Sequence, residues 1–433
     1  MPANRKFEVK ALSRVEGEGA LYVKFEGGQV DWVELNIYEP PRFFEAFLRG
    51  RKVREVPDIT ARICGICPVA YQMSSVHAME RALGMKVGGQ IRELRRLLYC
   101  GEWIESHPLH IFLLHAPDFL GYPDAIHMAK DYPDAVKLGL ALKKVGNSLM
   151  TLLGGREIHP INVRVGGFYR APTVNELKAF RPQLVEAMKL AETTVHFTAD
   201  LDFPNIEEDY EFVSLRHERE YPLCDGDLVS SKGIKVPQDR WDDVFEEVQA
   251  PYANALQSVR KGGGTSYLVG PLARYALNRD HLSPRADQLA REVGLENVVR
   301  NPYRSVVVRA VETVYAIEEA LRIIDQYERP DPSWVEPPPV TKSVTGGAVS
   351  EAPRGILYHR YRIGPGGLIE DAKIVAPTSQ NQKRIEDDVR HLVERSLALD
   401  DPALTNACER AIRNHDPCIS CATHFLKLDI ERR

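Results

Sequence analysis

Two Cys-x-x-Cys pairs near opposite ends of the chain constrain its fold more than any other feature. The first is Cys64-Gly-Ile-Cys67 and the second is Cys418-Ile-Ser-Cys421, in a chain of 433 residues. Four thiolates in two matched pairs are typical of one soft-metal site, which suits nickel, iron or zinc. The sequence therefore predicts a fold in which both ends of the chain meet around a single metal centre.

Composition narrows the class of protein. The formal net charge is −5, whereas a nucleic-acid-binding protein needs a basic face. No apolar stretch follows the charged residues 1–8, so we expect no secretory signal. The most apolar run, residues 111–120, is far shorter than the roughly 20 residues of a membrane-spanning helix. We expect a cytoplasmic protein without a membrane span, which does not bind nucleic acid.

Cysteine usage favours metal binding over disulfides. The chain has 7 cysteines, an odd number, and we expect no secretory signal, which a disulfide framework would require. Outside the two pairs, Cys100, Cys224 and Cys408 are solitary. These three are too scattered to predict an iron–sulfur cubane within the chain.

Hydrophobic patterning predicts an α+β protein that is predominantly helical. We expect one large domain over residues 1–433, with a β-rich segment at 1–40, a helical body at 41–330 and a C-terminal segment at 341–433 that carries the second cysteine pair. Strands are predicted at 20–25, 30–37, 355–363 and 367–375. Helices are predicted within 69–84, 89–106, 133–153, 175–200, 240–260, 305–327 and 382–398.

The residues alone leave two simpler explanations of the cysteines open. A structural zinc held by four thiolates is the commoner use of such pairs, but there the pairs usually lie about 15–20 residues apart. A large hydrophobic core also needs no metal to stabilise it. A redox dithiol is the other explanation for either pair alone, because Cys-x-x-Cys depresses a thiol pKa. Pro68 predicts that Cys67 lies at a helix N-terminus, where a thiolate is favoured.

Motifs along most of the chain resemble those of the large, catalytic subunit of nickel–iron hydrogenases. The two most specific are Arg62-Ile-Cys-Gly-Ile-Cys67 and Asp416-Pro-Cys-Ile-Ser-Cys-Ala-Thr-His424. Further matching motifs lie at residues 13–17, 42–45, 106–110, 155–160, 351–355 and 376–381. The resemblance implies an enzyme that runs H2 ⇌ 2 H+ + 2 e−, most like the cytoplasmic, bidirectional, NAD(P)-linked or sulfhydrogenase branch.

The resemblance also implies a role for each cysteine of the pairs. Cys64 and Cys418 would be terminal ligands of nickel. Cys67 and Cys421 would bridge nickel to an iron that carries carbonyl and cyanide ligands. Four thiolates supply the electron density and negative charge that let nickel change oxidation state.

Two further residues correspond to catalytic groups of the family. Arg354 matches an arginine placed over the open metal position, where a fixed guanidinium stabilises charge. Without its flanking motif Arg354 would be interpreted as a surface arginine in a Pro-Gly loop. Glu16 matches the first proton-relay carboxylate of the family. From the residues alone, Glu16 in a solvated turn is the simpler interpretation.

A second metal site is implied by Glu45, the backbone carbonyl of Ile374 and the imidazole of His424. Two oxygens and one imidazole, completed by water, fit a hard octahedral ion such as Mg2+, or Fe2+ in its place. An ordinary solvated histidine is the alternative for His424.

The chain departs from the family pattern at two positions near the cysteines. Tyr71 stands where a histidine is common, and His77 lies one or two helical turns further on. Ser106 stands where membrane-linked members carry an aspartate. These changes bear on rate and direction and leave the metal ligands intact. Family precursors are cut after the histidine that follows the last cysteine, so we expect a maturation endopeptidase to remove residues 425–433.

An enzyme that exchanges electrons with H2 needs partners to receive them. The chain has no dinucleotide-binding Gly-x-Gly-x-x-Gly motif between a strand and a helix. The resemblance implies a small iron–sulfur subunit, and flavin and iron–sulfur subunits that react with NAD(P)(H). Two alternatives are a non-catalytic scaffold related to the quinone-module subunit of complex I and a hydrogen-sensing regulatory hydrogenase.

Overall fold

The computed structural model describes residues 5–423 and has the predicted α+β architecture. The long helices are Pro68–Ala82, Gly89–Pro108, Pro133–Gly154, Val174–Ala199, Pro271–Asn278, Pro284–Glu292, Ser305–Asp325, Pro377–Arg395 and Asp401–Arg413. Shorter α-helices are Phe44–Leu48, Val56–Thr60, Ala116–Leu120, Ala125–Met128 and Trp241–Val244, and a π-helical segment spans Leu109–His115. The division of the chain into one domain stays a prediction, and residues 425–433 lie outside the described part.

Small antiparallel sheets decorate the helical body. The N-terminal sheet consists of Arg5–Val9, Gly19–Glu26 and Gln29–Ile37, and a later one of Val344–Ala352, Gly355–Gly364 and Leu368–Val375. The other strands are Val163–Arg164 with Gly167–Phe168, Val213–Arg216 with Asp227–Ser230 and Lys235–Pro237, and Phe245–Gln249 with Leu256–Arg260. The predicted strands at both ends of the chain are thereby confirmed.

The helix predicted over 240–260 is wrong. A single helical turn, Trp241–Val244, leads into two paired strands, Phe245–Gln249 and Leu256–Arg260. Pro251 lies between these strands, at the middle of the predicted helix. A proline there removes a backbone donor and clashes with the preceding turn, so a hairpin replaces the helix.

Two close backbone contacts set the position of the helices that carry the site. Helix Gly89–Pro108 packs against helix Pro133–Gly154 at Gly146, where a Cβ would lie 2.5 Å from the amide nitrogen of Glu105. Strand Val344–Ala352 crosses helix Pro68–Ala82 at Gly346, where a Cβ would lie 2.3 Å from the amide nitrogen of Ala82. Neither approach is possible with a larger residue unless the backbone moves.

The two ends of the chain share one hydrophobic cluster. Val23 and Leu35 of the N-terminal sheet pack with Val389 of helix Pro377–Arg395 and Ile412 of helix Asp401–Arg413. Burial of such side chains stabilises the fold by about 1.5–3 kcal/mol each. The cluster therefore holds the segment before the second cysteine pair against the first forty residues.

From residue 5 to residue 423, no helix combines the length and the apolar character needed to cross a membrane.

Candidate metal centre

The fold brings the four paired cysteines together, as the sequence predicts. The sulfur atoms of Cys64, Cys67, Cys418 and Cys421 all lie within 4.8 Å of one another, and all four residues are buried. The Cys64 and Cys418 sulfurs are 3.6 Å apart, and those of Cys67 and Cys421 are 3.8 Å apart. All four are free thiols. Four convergent sulfurs are the donor set that a soft transition metal prefers.

Local structure around the first pair favours a thiolate at Cys64. The 3-10 turn Ala61–Ile63 ends at Cys64, and Cys67 is the N-cap of helix Pro68–Ala82. The amide N–H groups of Ile66 and Cys67 donate to the Cys64 sulfur at 3.3 and 3.4 Å. Amide donors and a helix N-terminus both stabilise negative charge on sulfur.

A buried carboxylate fixes the start of that helix. Glu102, on helix Gly89–Pro108, accepts from the N–H of Val69 at 2.7 Å and from the N–H of Ala70 at 3.2 Å. These are among the amides that a helix N-terminus leaves without an intrahelical partner. Burial raises the pKa of Glu102 well above its ordinary value. Glu102 thus acts as a cap from a neighbouring helix and orients Cys67.

The second pair is held by the N-terminal segment. The N–H of Cys418 donates to the Thr378 hydroxyl at 2.9 Å, and the N–H of Ile419 donates to the Glu16 carbonyl at 2.9 Å. Residues 16 and 418 form an isolated parallel bridge. The 3-10 turn Ser420–Ala422 then places Cys421 opposite Cys67.

The Glu16 carboxylate is in contact with the four-cysteine group. Its Oε2 atom accepts from the Cys418 thiol at 3.1 Å and from the N–H of Ser420 at 3.1 Å. Glu16 is therefore not simply a solvated side chain in a turn, because its carboxylate accepts a hydrogen bond from the Cys418 sulfur.

Arg42 links the two cysteine loops, a role that the sequence did not reveal. Its Nη2 atom donates to the carbonyl of Ile63 at 2.7 Å and also to the carbonyl of Ser420. The backbone N–H of Arg42 donates to the Thr423 carbonyl at 2.6 Å. Ile63 and Ser420 are the residues immediately before Cys64 and Cys421. In the sequence, the indication of this role was the position of Arg42 within the matching motif at residues 42–45.

Arg354 is buried next to the cysteines, with only 3% of its surface exposed. Its Nε and Nη2 atoms donate to the carbonyl and the carboxylate of Asp416 at 2.9 and 3.1 Å. Burial opposes its charge, but the neighbouring Asp416 holds its pKa well above the ordinary value. Its Nη1 atom has no hydrogen-bond partner within residues 5–423.

These features fit a bound cationic metal centre that also presents an anionic or polar group. Burial raises the pKa of the Cys418 and Cys421 thiols, and metal binding reverses that effect because thiolate is the ligand form. A buried guanidinium N–H without an acceptor is costly unless a group bound at the site accepts it. The donor set and Arg354 are therefore complementary to such a centre.

Two of the three residues predicted for the second metal lie side by side. Glu45 Oε1 accepts from the N–H of Ile374 at 2.7 Å, so the described bond is to the amide and not to the carbonyl. Burial raises the pKa of Glu45 to about 8. The third predicted ligand, His424, lies outside the described residues.

The departures from the family pattern have clear positions. Tyr71 is fully buried and donates to the Cys421 carbonyl at 3.4 Å. Ser106 is fully buried, and within residues 5–423 its hydroxyl has no hydrogen-bond partner. Burial lowers the pKa of His77 to about 4, and its charged neighbours include Arg95 and Asp225 rather than the cysteines. His77 therefore does not replace the imidazole that Tyr71 lacks.

Comparisons with known proteins agree with this geometry. The family described as nickel-dependent hydrogenase matches residues 42–138 and 261–424. The sulfhydrogenase 1 subunit alpha of Pyrococcus furiosus is 33% identical over 96% of this chain and 97% of its own. The sulfhydrogenase 2 subunit alpha of that organism is 33% identical over 97% of this chain and 99% of its own. A crystal structure of NAD+-reducing [NiFe]-hydrogenase in the H2-reduced state superposes with a TM-score of 0.84 at 26% identity, covering 98% of this chain and 100% of that one.

Replacing Arg42 by methionine should weaken metal retention while the chain still folds. The change removes the bonds to both cysteine loops, and loss of such supporting contacts typically lowers metal affinity about 10- to 100-fold. Metal content per chain after dialysis against a chelator measures the effect. Arg49→Met is the control, because Arg49 forms an exposed ion pair with Asp371 at 3.2 Å. Equal metal retention in both variants would contradict the linking role of Arg42.

Proposed function

We propose that this chain, which belongs to the nickel-dependent hydrogenase family and is the catalytic subunit of a nickel–iron hydrogenase, exchanges the electrons of H2 with NAD(P)(H) through partner subunits. The observation that supports this most is the convergence of four buried thiols from both ends of the chain within 4.8 Å. The reaction would be H2 ⇌ 2 H+ + 2 e−. The relatives named sulfhydrogenase and NAD+-reducing hydrogenase support this branch, including sulfur as a further electron acceptor.

The four cysteines would hold the nickel–iron centre. Cys64 and Cys418 would be terminal ligands of nickel, and Cys67 and Cys421 would bridge to an iron with carbonyl and cyanide ligands. When bound, the centre supplies the redox chemistry that splits H2 heterolytically. The chain supplies the thiolates, a buried pocket and the groups that handle charge and protons.

Glu16 would move protons between the cluster and the rest of the chain. Its Oε2 atom is 3.1 Å from the Cys418 sulfur, which is hydrogen-bonding distance. Proton transfer needs contact geometry before anything else. The N–H of Ser420 holds the same oxygen in place at 3.1 Å, so the carboxylate is oriented toward the thiol.

Arg354 would place a fixed positive charge beside the reacting position. The bonds to Asp416 fix the guanidinium and leave Nη1 available to a bound group. Preorganised donors of this kind act strongly in a buried site because water does not screen them. Arg354 also offsets part of the negative charge of four thiolates.

Glu45, the Ile374 carbonyl and His424 would hold Mg2+, or Fe2+ in its place. Glu45 and Ile374 are already adjacent. Burial raises the pKa of Glu45. A cation bound here would oppose that effect and favour the ionised carboxylate. We also propose that a maturation endopeptidase removes residues 425–433 after the metal is inserted, and that the enzyme works in the cytoplasm.

A small iron–sulfur subunit would receive the electrons, with flavin and iron–sulfur subunits beyond it. Cys100, Cys224 and Cys408 are each buried away from the four-cysteine group. The described part of the chain therefore offers no second set of cysteine ligands for a cluster.

The surface beside Gly65 is the face on which we place the iron–sulfur subunit. Gly65 lies between the first two cysteines and is exposed, so the metal centre approaches the surface there. Ile158, Ile161 and Tyr169 expose 51%, 52% and 53% of their surface on the neighbouring loops. A Cβ on Gly65 would lie 4.0 Å from Ile158. An exposed apolar patch next to a redox centre suits a protein partner.

Metal analysis combined with Cys421→Ser tests the proposed function. The wild-type complex should contain nickel, and its iron should exceed that of the partner clusters. Cys421→Ser should abolish hydrogen oxidation and nickel loading, because a serine hydroxyl is a poor ligand for a soft metal. Cys408→Ser is the matched control, since Cys408 is buried but solitary. This variant should keep both hydrogen oxidation and nickel loading. Zinc alone in an assembled wild-type complex would favour a scaffold or a structural zinc site.

Glu16→Gln should separate proton transfer from metal binding. The amide oxygen can still accept from Ser420, but the side chain cannot take up a proton. Hydrogen oxidation and exchange of H2 with solvent deuterium should fall by about 10²- to 10⁴-fold, with unchanged nickel content. Glu18→Gln, at an exposed carboxylate two residues further along the chain, should behave as wild type. Full activity of Glu16→Gln would exclude Glu16 from the proton path.

Ile158→Glu should weaken assembly with the iron–sulfur subunit. A charge introduced into an apolar contact must be desolvated on binding, which should raise Kd roughly tenfold or more. Ile126→Glu is the control, because Ile126 is 79% exposed on a different helix, Ala125–Met128. Titration of the purified large subunit with its partner measures both. Equal weakening by the two variants would place the docking surface elsewhere.

A further inference from the structure

Arg354 lies in the turn between strands Val344–Ala352 and Gly355–Gly364. Its side chain is held by Asp416, but that contact does not fix the backbone from which the side chain extends. A turn is the part of a hairpin that moves most easily. The direction of the guanidinium therefore depends on what holds residues 352–354.

A second arginine holds this turn. Arg274, on helix Pro271–Asn278, is fully buried and donates from Nη1 to the Ala352 carbonyl at 2.7 Å and from Nη2 to the Pro353 carbonyl at 2.9 Å. The same helix begins after Gly270, where a Cβ would lie 2.7 Å from the Arg354 carbonyl oxygen. The start of this helix is thus packed directly on the turn.

Arg274 is itself fixed on its other side. Its Nε and Nη2 atoms bond to the two carboxylate oxygens of Glu312, each at 2.8 Å, and Nη1 lies 3.1 Å from Glu351. Its guanidinium carbon lies 4.5 Å from the centre of the Trp103 ring. A bidentate pair in a buried site defines the plane of the guanidinium as well as its position.

Further contacts return from Glu312 to the side chain of Arg354. Glu312 Oε2 lies 3.1 Å from His107 Nε2, and His107 Nδ1 lies 3.4 Å from Arg309 Nη1. Arg309 Nη1 is also 3.4 Å from Asp416, the carboxylate that pairs with Arg354 at 3.1 Å. The contacts form a closed ring that holds both the backbone and the side chain of Arg354.

We propose that Arg274, fixed by Glu312, is a positioning residue that aims Arg354 at the four-cysteine centre. The proposal rests on the proposed function, in which Arg354 is the charged group beside the reacting position. Arg274 itself touches carbonyl groups and carboxylates and not the cysteines, so it acts through Arg354. The ring joins three arginines (Arg274, Arg309, Arg354) through the carboxylates of Glu312 and Asp416 and the imidazole of His107.

Arg274→Lys tests the proposal, because lysine keeps the charge but cannot bond two carbonyls and a bidentate carboxylate together. Misplacement of Arg354 should lower kcat for hydrogen oxidation about 10- to 100-fold, with nickel content retained. Arg95→Lys is the matched control, since Arg95 is also a buried arginine, paired with Glu80 at 2.7 Å and outside the ring. It should leave kcat unchanged.

A double-variant cycle distinguishes positioning from general stability. If Arg274 acts through Arg354, the variant carrying both Arg274→Lys and Arg354→Lys should be no slower than Arg354→Lys alone. A product of the two single losses would overturn the proposal. Infrared bands of the carbonyl and cyanide ligands add a readout that lost stability does not shift. Arg274→Lys should displace them in the same direction as Arg354→Lys, and unchanged bands would also overturn the proposal.

Two checks keep the outcomes separate. If Arg274→Lys does not assemble, the same double-variant cycle is made with Glu312→Gln in its place. That substitution removes the charge that fixes Arg274 and changes the side-chain size little. A wild-type complex without nickel and without these infrared bands would refute the proposed function itself. If the wild-type complex contains nickel and shows these infrared bands, but the kcat losses of the two single variants multiply in the double variant, only the role of Arg274 is refuted.

Discussion

The backbone contact between residues 16 and 418 joins the first sheet of the chain to its last cysteine loop, and the metal centre depends on it. Glu16 accepts the Ile419 N–H with its carbonyl and the Ser420 N–H with its carboxylate. The apolar cluster between the N-terminal sheet and the last two helices keeps these segments together. Arg42 then connects the second loop to the first. Without this closure the two thiol pairs would remain separate.

The region around the centre contains an unusual amount of buried charge. Arg274, Glu312 and Glu351 are fully buried, and Arg309 is nearly so. Replacing buried ion pairs by apolar residues of similar volume is often neutral or stabilising. Their presence around Arg354 is therefore better explained by the orientation of Arg354 than by stability. The same reasoning does not extend to exposed pairs such as Arg49–Asp371, which contribute little.

The sequence predicted the cysteine cluster and most of the elements that present it, for identifiable reasons. Two Cys-x-x-Cys pairs can converge only if the chain ends meet, and β-branched runs at 20–25 and 30–37 left little alternative to strands. The helix predicted over 240–260 was wrong because its helical spacing was given more weight than Pro251, and a hairpin forms there instead. Glu102, Arg274 and Glu312 were not found at all. Charged residues on helices usually face solvent, and only the packing of neighbouring helices shows that these do not.

The union of the two chain ends has a consequence for synthesis. At roughly 5–20 residues per second, the second cysteine pair leaves the ribosome on the order of tens of seconds after the first. During that interval Cys64 and Cys67 are present without the sulfurs that complete their site, and the N-terminal sheet lacks the helices that cover it. Contacts so distant in sequence form slowly. The nascent chain therefore passes through a long-lived stage with an open thiol pair, a stage that calls for protection from wrong metals and from oxidation.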